Sequence, residues 1–295
     1  MIVLGFADYR APAQRLAEAL QCPVAQVEVH RFPDGEHKVT LPSTLPDHVI
    51  FCRSLFHPND KLIDLLFAAR TARELGVNRL SLVAPYLCYM RQDTAFEAGE
   101  AVSQRIIGRW LAELFDDVVT VDPHLHRTAS LDVVMPGIHA IALSAGVPMA
   151  DYLRRRQGMD DAILLGPDEE SRQWVSSIAG LAGLEFGVAT KQRMGDRSVC
   201  IQLPDIDFAG RPVVLLDDMV STGRTLVEAA VQLQQAKASS ITCLVTHALL
   251  HEAAEKQMQQ AGIGLLVTSD SVPHASNAIE LASSLAEPFR AEKTG

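Results

Sequence analysis

Long apolar runs are missing from this sequence: no stretch approaches the roughly 20 residues that a membrane-spanning helix requires, so no such span is predicted. Cysteine is scarce. The five present, Cys22, Cys52, Cys88, Cys200 and Cys243, are odd in number, widely spaced and without a CxxC pair, which fits neither a disulfide framework nor a zinc site. Each reads as a small apolar residue in a reducing, cytoplasmic setting. Positive charge is also short, with 26 Lys and Arg against 36 Asp and Glu and a net charge of -10. Duplex binding relies on clustered Lys and Arg, so no nucleic-acid partner is expected, and any phosphate site must be local. The opening MIVLGFADYR has no basic leader and meets Asp8 after a short apolar run, so it reads as a first strand and not a signal peptide.

What is there is core material. Hydrophobic residues make up 48% of the 295 positions and charged ones only 21%, enough to bury two domains of ordinary size. Short apolar runs alternate with longer amphipathic segments, the pattern of parallel strands joined by helices. Strands are predicted at 1–5, 24–30, 48–53, 79–84, 117–121, 161–166, 184–190, 213–218, 240–246 and 264–268. Helices are predicted at 11–20, 59–75, 102–114, 149–156, 169–182, 225–236 and 252–261. HVIFCRSL, a helix and NRLSLVAPYL have a rough counterpart in AILLGP, a helix and LEFGVAT, which hints at two similar halves. The Pro- and Gly-bounded stretch MPGIHAIALSAGVP (135–148) is the best boundary, giving domains 1–145 and 146–295. The polar tail after Pro288 either frays or packs back on the first domain.

One segment is especially informative. In RPVVLLDDMVSTGRTL (211–226), an apolar, β-branched run ends in Asp217 and Asp218. Adjacent acids at the end of a central strand are costly to bury unpaired, so they are expected to face a cleft. Ser221, Thr222, Gly223 and Thr225 then form a small hydroxyl-rich loop, Thr225 with Glu228 fits a capping box, and Leu226, Ala230 and Leu233 recur at helical spacing. Strand, loop and helix N-terminus make a phosphate cradle at the carboxyl end of an α/β sheet. On these residues alone, an ordinary turn after a strand is about equally good.

The segment resembles the phosphoribosyl-pyrophosphate motif of type I phosphoribosyltransferases and of phosphoribosyl pyrophosphate synthetases. Four others resemble the synthetases alone. RFPDGE (31–36) is similar to their adenine-contacting motif and PYLCYMRQD (85–93) to their motif ending in Arg-Gln. VDPHLHRT (121–128) is similar to a segment binding magnesium and ATP phosphates, and TKQRMGD (190–196) to a mobile catalytic loop. The bland readings are a hairpin turn for Pro-Asp-Gly, a structural histidine in a loop, and a solvated charged loop for Lys-x-Arg. The spacing of Asp122, His124 and His126 points them one way if the chain stays extended.

The resemblance to the ribose-phosphate pyrophosphokinase family implies an α/β chain of two similar type I phosphoribosyltransferase-like domains, each a mostly parallel sheet flanked by helices. It implies ATP contacts from Phe32, Asp34, Glu36, Arg91, Gln92 and His124, and Mg2+ held by His124 and Asp168. Lys191 and Arg193 become the catalytic pair. Asp217, Asp218, Ser221, Thr222, Gly223, Arg224 and Thr225 become the ribose 5-phosphate site. Two positions depart from the common pattern: Ser221 stands where Asp is frequent and still offers a hydroxyl, and Arg224, where Gly is usual, adds a cation or crowds the loop. The substrates expected are ATP and ribose 5-phosphate, in a homo-oligomer built from dimers. A phosphoribosyltransferase leaves the ATP-like motifs idle, and a non-catalytic regulatory subunit needs none of Lys191, Arg193, His124 and Asp168.

Overall fold

The computed structural model describes residues 1–125, 127–194 and 198–291, with the backbone alone at 191–194 and 198–200. The chain divides into two compact units, Met1–Leu143 with Leu281–Gly295, and Ser144–Glu280.

The first unit runs β1 (Ile2–Phe6), α1 (Arg10–Leu20), β2 (Val24–Arg31), β3 (His37–Thr40), β4 (His48–Cys52), α2 (Pro58–Glu74), β5 (Arg79–Val83), α3 (Ser103–Ala112), β6 (Asp117–Val121), α4 (Leu131–Val134) and β7 (His139–Leu143). Its seven-stranded sheet has the order β3-β2-β1-β4-β5-β6-β7, parallel except for the β2–β3 hairpin. β6 is buried along its whole length, as a strand between two helical layers must be. α1 buries Ala13, Leu16, Ala17 and Leu20, an i, i+3, i+4, i+7 stripe. Each fully buried leucine contributes about 1.5–3 kcal/mol.

The second unit runs α5 (Gly146–Arg155), β8 (Ile163–Gly166), α6 (Arg172–Ala182), β9 (Glu185–Val188), β10 (Thr190–Met194), β11 (Ser198–Gln202), β12 (Pro212–Val220), α7 (Arg224–Gln235), β13 (Ser240–Ala248), α8 (Glu252–Gln260), β14 (Leu265–Ser269) and β15 (Asn277–Ile279). A six-stranded parallel sheet has the order β15-β14-β13-β12-β8-β9, and β10 pairs with β11 as a separate antiparallel ribbon. The last helix, α9 (Ala282–Ala291), belongs to the first unit. It buries Leu285, Ala286 and Phe289, and Arg290 donates to the Ala19 carbonyl on α1, so the tail is not frayed through residue 291 despite Pro288 inside the helix.

The two units repeat one topology, although not in the register the sequence suggested. β1–α1–β2 corresponds to β8–α6–β9, the β2–β3 hairpin to the β9–β10–β11 segment, and β4–α2–β5 to β12–α7–β13. HVIFC is therefore the counterpart of VVLLDD, and AILLGP that of IVLGF. Buried apolar strands are interchangeable by pattern, so only pairing order distinguishes them. The stretch 135–148 contains β7, an edge strand of the first sheet, and the division between the units falls within it, after Leu143.

Candidate active site

In parallel sheets, ligand-binding residues gather where the strands end at their carboxyl edge. Each motif singled out from the sequence emerges at that edge of its own unit. In the first unit, RFPDGE turns the chain from β2 into β3. Phe32 donates its amide to the Glu36 carbonyl at 2.8 Å, and Gly35, at φ +93°, donates to the Phe32 carbonyl at 2.9 Å. Asp34 accepts from the Glu36 amide at 3.1 Å. The hairpin-turn reading thus holds, and it leaves Phe32, Asp34 and Glu36 on the surface. The Phe32 ring meets the His30 ring edge-on, at 4.8 Å, and is 40% exposed.

PYLCYMRQD follows β5 and VDPHLHRT follows β6, and the structure ties the two together. Asp93 accepts from both the backbone amide and the guanidinium of Arg127, each at 3.1 Å. The Thr128 hydroxyl and the Gln104 side chain meet at 2.8 Å, and Gln104 donates to the Met90 carbonyl at 3.1 Å. Arg91 is exposed, and Gln92 and His124 are partly buried. Asp93, Gln104, Arg127 and Thr128 were not singled out from the sequence, although Asp93, Arg127 and Thr128 stand inside the quoted motifs. The condition of an extended chain is not met at Asp122. Asp122 adopts φ +38°, its amide bonded to the Leu143 carbonyl, so the chain turns there; His126 lies outside the described residues. Tyr89, at φ +61°, is a second left-handed non-glycine residue in these motifs, and such conformations concentrate where geometry is held for function.

In the second unit, Asp168 follows β8, its carbonyl accepting from the Ser171 hydroxyl at 2.6 Å. Asp217 and Asp218 lie within β12, partly buried, and the strand runs past them to Val220. The acids are thus inside the strand because β13 keeps pairing with them, Asp217 opposite Val245 and Val220 opposite Ala248. Burial pushes the Asp217 carboxyl well above the usual carboxylate range, and the charges of Asp218 and Asp168 push it further the same way.

Ser221 to Gly223 lead into α7. Gly223 has φ +67°, a conformation that favours glycine, and a Cβ there would also press on the Met258 sulfur at 3.1 Å. The helix starts at Arg224 behind Gly223 and has no side-chain cap, so the expected Thr225–Glu228 capping box is not formed. Thr225 sits two residues past the N-cap position held by Gly223, already inside the first turn. Leu226, Ala230 and Leu233 are buried as expected. Among the described residues, no hydrogen bond engages the side chains of Ser221, Thr222 or Thr225, which leaves hydroxyls and a 12-residue helix N-terminus facing one loop. Arg224 is exposed. Lys191 and Arg193 lie on β10, paired with Ile201 and Val199; their side chains, and residues 195 and 196, lie outside the described residues.

The repeat makes the charge at this edge informative. Asp8 and Asp168 each stand two residues beyond the matching strand, β1 and β8. Asp8 is neutralised within its own unit, by Arg53 at 3.0 Å and Lys61 at 2.8 Å, and Arg53 also holds Asp64 at 2.8 Å. His37 bonds Asp64 from the other side at 2.7 Å. Burial holds the Lys61 ammonium below its usual range, against the bond and charge of Asp8. This buried network was missed in the sequence, because RSLFHPND carries no spacing that separates a core ion cluster from a solvated loop. In the second unit the charges of Asp218 and Asp168 both bear on the Asp217 carboxyl. Among the described residues no three His, Cys, Asp or Glu side chains converge as a ready-made metal cluster. A cation there would rest on few protein donors plus substrate oxygens, the habit of magnesium.

Comparison with known proteins agrees with this arrangement. Residues 1–114 match the model of the N-terminal domain of ribose phosphate pyrophosphokinase, and residues 201–284 match the phosphoribosyl synthetase-associated domain. Among curated relatives, the ribose-phosphate pyrophosphokinase of Methanopyrus kandleri is 35% identical over 97% of this chain and 98% of its own. That of Saccharolobus solfataricus is 31% identical over 92% and 93%. The crystal structure of phosphoribosylpyrophosphate synthetase from Mycobacterium smegmatis superposes with a TM-score of 0.83, covering 100% of this chain and 99% of that one at 21% identity, a likeness of fold. With a relative above 30% identity matched end to end, both halves matched by the family's models and its motifs at the carboxyl edges of two repeated sheets, the chain belongs to the ribose-phosphate pyrophosphokinase family.

Proposed function

We propose that this enzyme transfers the diphosphoryl group of ATP to the 1-hydroxyl of ribose 5-phosphate, giving phosphoribosyl pyrophosphate and AMP. The observation that carries the reading is the second unit's loop, an acid pair inside β12 followed by free hydroxyls at a helix start, in a chain of this family. Phosphate oxygens accept from the Ser221, Thr222 and Thr225 hydroxyls and from the amides around Gly223, with Arg224 as an added cation. Asp217 and Asp218 accept from the ribose hydroxyls and hold the sugar in one orientation.

In the first unit Phe32 stacks on the adenine, Asp34 and Glu36 accept from its amine, and Arg91, Gln92 and His124 hold the phosphates. His124 and Asp168 would supply protein donors for Mg2+, which when bound would offset phosphate charge. The three-acid repulsion around Asp217 supports a cation at that edge. Lys191 and Arg193 stabilise the charge that spreads over the migrating group in the transition state. The active form is a cytoplasmic homo-oligomer built from dimers, in which the 31–36 turn of one subunit serves the ATP of another. No helix among the described residues is long and apolar enough to cross a membrane. The test is direct: with Mg–ATP and ribose 5-phosphate, AMP forms only when both substrates are present. Release of ADP in place of AMP contradicts the reading.

A further inference from the structure

β12 carries the ribose 5-phosphate residues, and its support is uneven. β8 stays in register with it only from Val213 to Leu215. Beyond that, β12 leans on β13, through Asp217 with Val245, Met219 with His247 and Val220 with Ala248, closed by the Leu249 amide on the Val220 carbonyl at 2.8 Å. β13 in turn keeps register with β14 only as far as Val245 opposite Thr268. Residues 218–220 and 246–248 therefore extend beyond the rest of the sheet as a two-stranded ribbon. A ribbon of that size has little stability of its own.

Side chains replace the missing strand pairs. The Ser269 and Ser271 hydroxyls both donate to the Thr246 carbonyl, at 2.6 and 2.7 Å. The Ser271 amide donates to Ser269 Oγ at 3.2 Å. His247 Nδ1 lies 2.8 Å from Ser271 Oγ. Since that hydroxyl's one proton goes to Thr246, His247 donates from Nδ1, which fixes its tautomer. Thr246, His247, Ser269 and Ser271 are all at most 1% exposed, so water does not compete for these bonds.

We infer that His247, Ser269 and Ser271 form a bracket that positions the phosphate loop at 221–223, by holding β13 straight to Ala248 and thereby holding Val220. They are positioning residues: nothing assigns them substrate contact. The inference rests on the reading of that loop as the ribose 5-phosphate site. It separates the substrates, because the bracket supports the second unit's loop and none of the ATP motifs of the first unit.

The experiment uses the full-length enzyme. Ser271→Ala raises the KM for ribose 5-phosphate about tenfold, the size that one net hydrogen bond supplies, while the KM for ATP stays unchanged. Ser271→Thr, which keeps the hydroxyl, restores it. His247→Asn keeps a donor near Nδ1 and behaves as wild type, whereas His247→Leu reproduces the Ser271→Ala loss. His247→Leu keeps both serines and carries the same test should Ser271→Ala fail to fold. Equal rises in both KM values, or no rise in either, overturn the bracket. A wild-type enzyme that uses ATP yet shows no saturation by ribose 5-phosphate removes the loop assignment, and the bracket with it.

Discussion

Asp217 is held in the fold at an electrostatic disadvantage, and that has measurable consequences. Its carboxyl is pushed up first by burial and then by Asp218 and Asp168. A group whose folded pKa lies above its unfolded value, about 3.9 for Asp, favours the fold at low pH and loses that contribution as pH rises through the folded value. Asp217→Asn removes the repulsion, so at neutral pH the variant melts roughly 3–5 °C higher, the effect of about 1 kcal/mol in a unit of this size. It also weakens ribose 5-phosphate more than ATP. Thermal denaturation beside substrate titrations checks both, and a lower melting temperature would show that Asp217 is already compensated. Lys191→Ala is expected to lower kcat by about 10²–10³-fold with KM values little changed, since a cation engaged in the transition state is lost there. Steady-state kinetics decide it: a rise confined to KM would make Lys191 a ground-state contact.

At the scale of elements, much was legible and the misses share a cause. Long apolar runs such as Val213–Leu216 and helical stripes such as Leu226, Ala230 and Leu233 announced strands and helices because burial fixes their periodicity. The short edge strands β3, β7 and β15 and the helix α9 did not, since edge strands are half-exposed and carry mixed residues. The capping box failed because Gly223, not Thr225, meets the backbone demand at the start of α7. Of the candidate site, the acid pair and the hydroxyl loop were legible, being contiguous. The Asp8–Arg53–Asp64–Lys61 network joins the turn after β1, the loop after β4, and α2, and contacts so far apart in sequence leave no local pattern. Asp117, at the start of β6, is another such pairing, held by Arg79 at 2.8 and 2.9 Å and by Ser81 at 2.7 Å. Burial raises its carboxyl, but the bonds from Arg79 and Ser81 outweigh that and leave it below its usual range. Its contribution is present above the unfolded pKa and lost as pH falls through the folded one. Arg79→Met removes the main partner of that carboxylate and is expected to destabilise the fold by about 1–3 kcal/mol at neutral pH, less in acid, because Arg79 is partly exposed and Ser81 still donates. Urea denaturation at two pH values measures it; an equal loss at both would assign the effect to packing.

For the molecule as a whole, the repeated topology suggests a division of labour. One unit's edge holds Asp8 between its own Arg53 and Lys61, while the other's carries the acid pair and hydroxyls of the proposed ribose 5-phosphate loop. Sharing of the adenine turn between subunits follows from the proposed dimer. A Phe32→Ala, Asp34→Ala variant mixed with Lys191→Ala under subunit exchange should regain about a quarter of wild-type activity, because half of the dimers then hold one intact site. Verified exchange without recovery would place the adenine turn with its own subunit's ATP. The central claim, diphosphoryl transfer, is tested most directly with ATP labelled at the β-phosphorus. Supplied with magnesium and ribose 5-phosphate, the enzyme is predicted to move the label into phosphoribosyl pyrophosphate and to release unlabelled AMP in equal amount. Label left in a nucleoside diphosphate would contradict it.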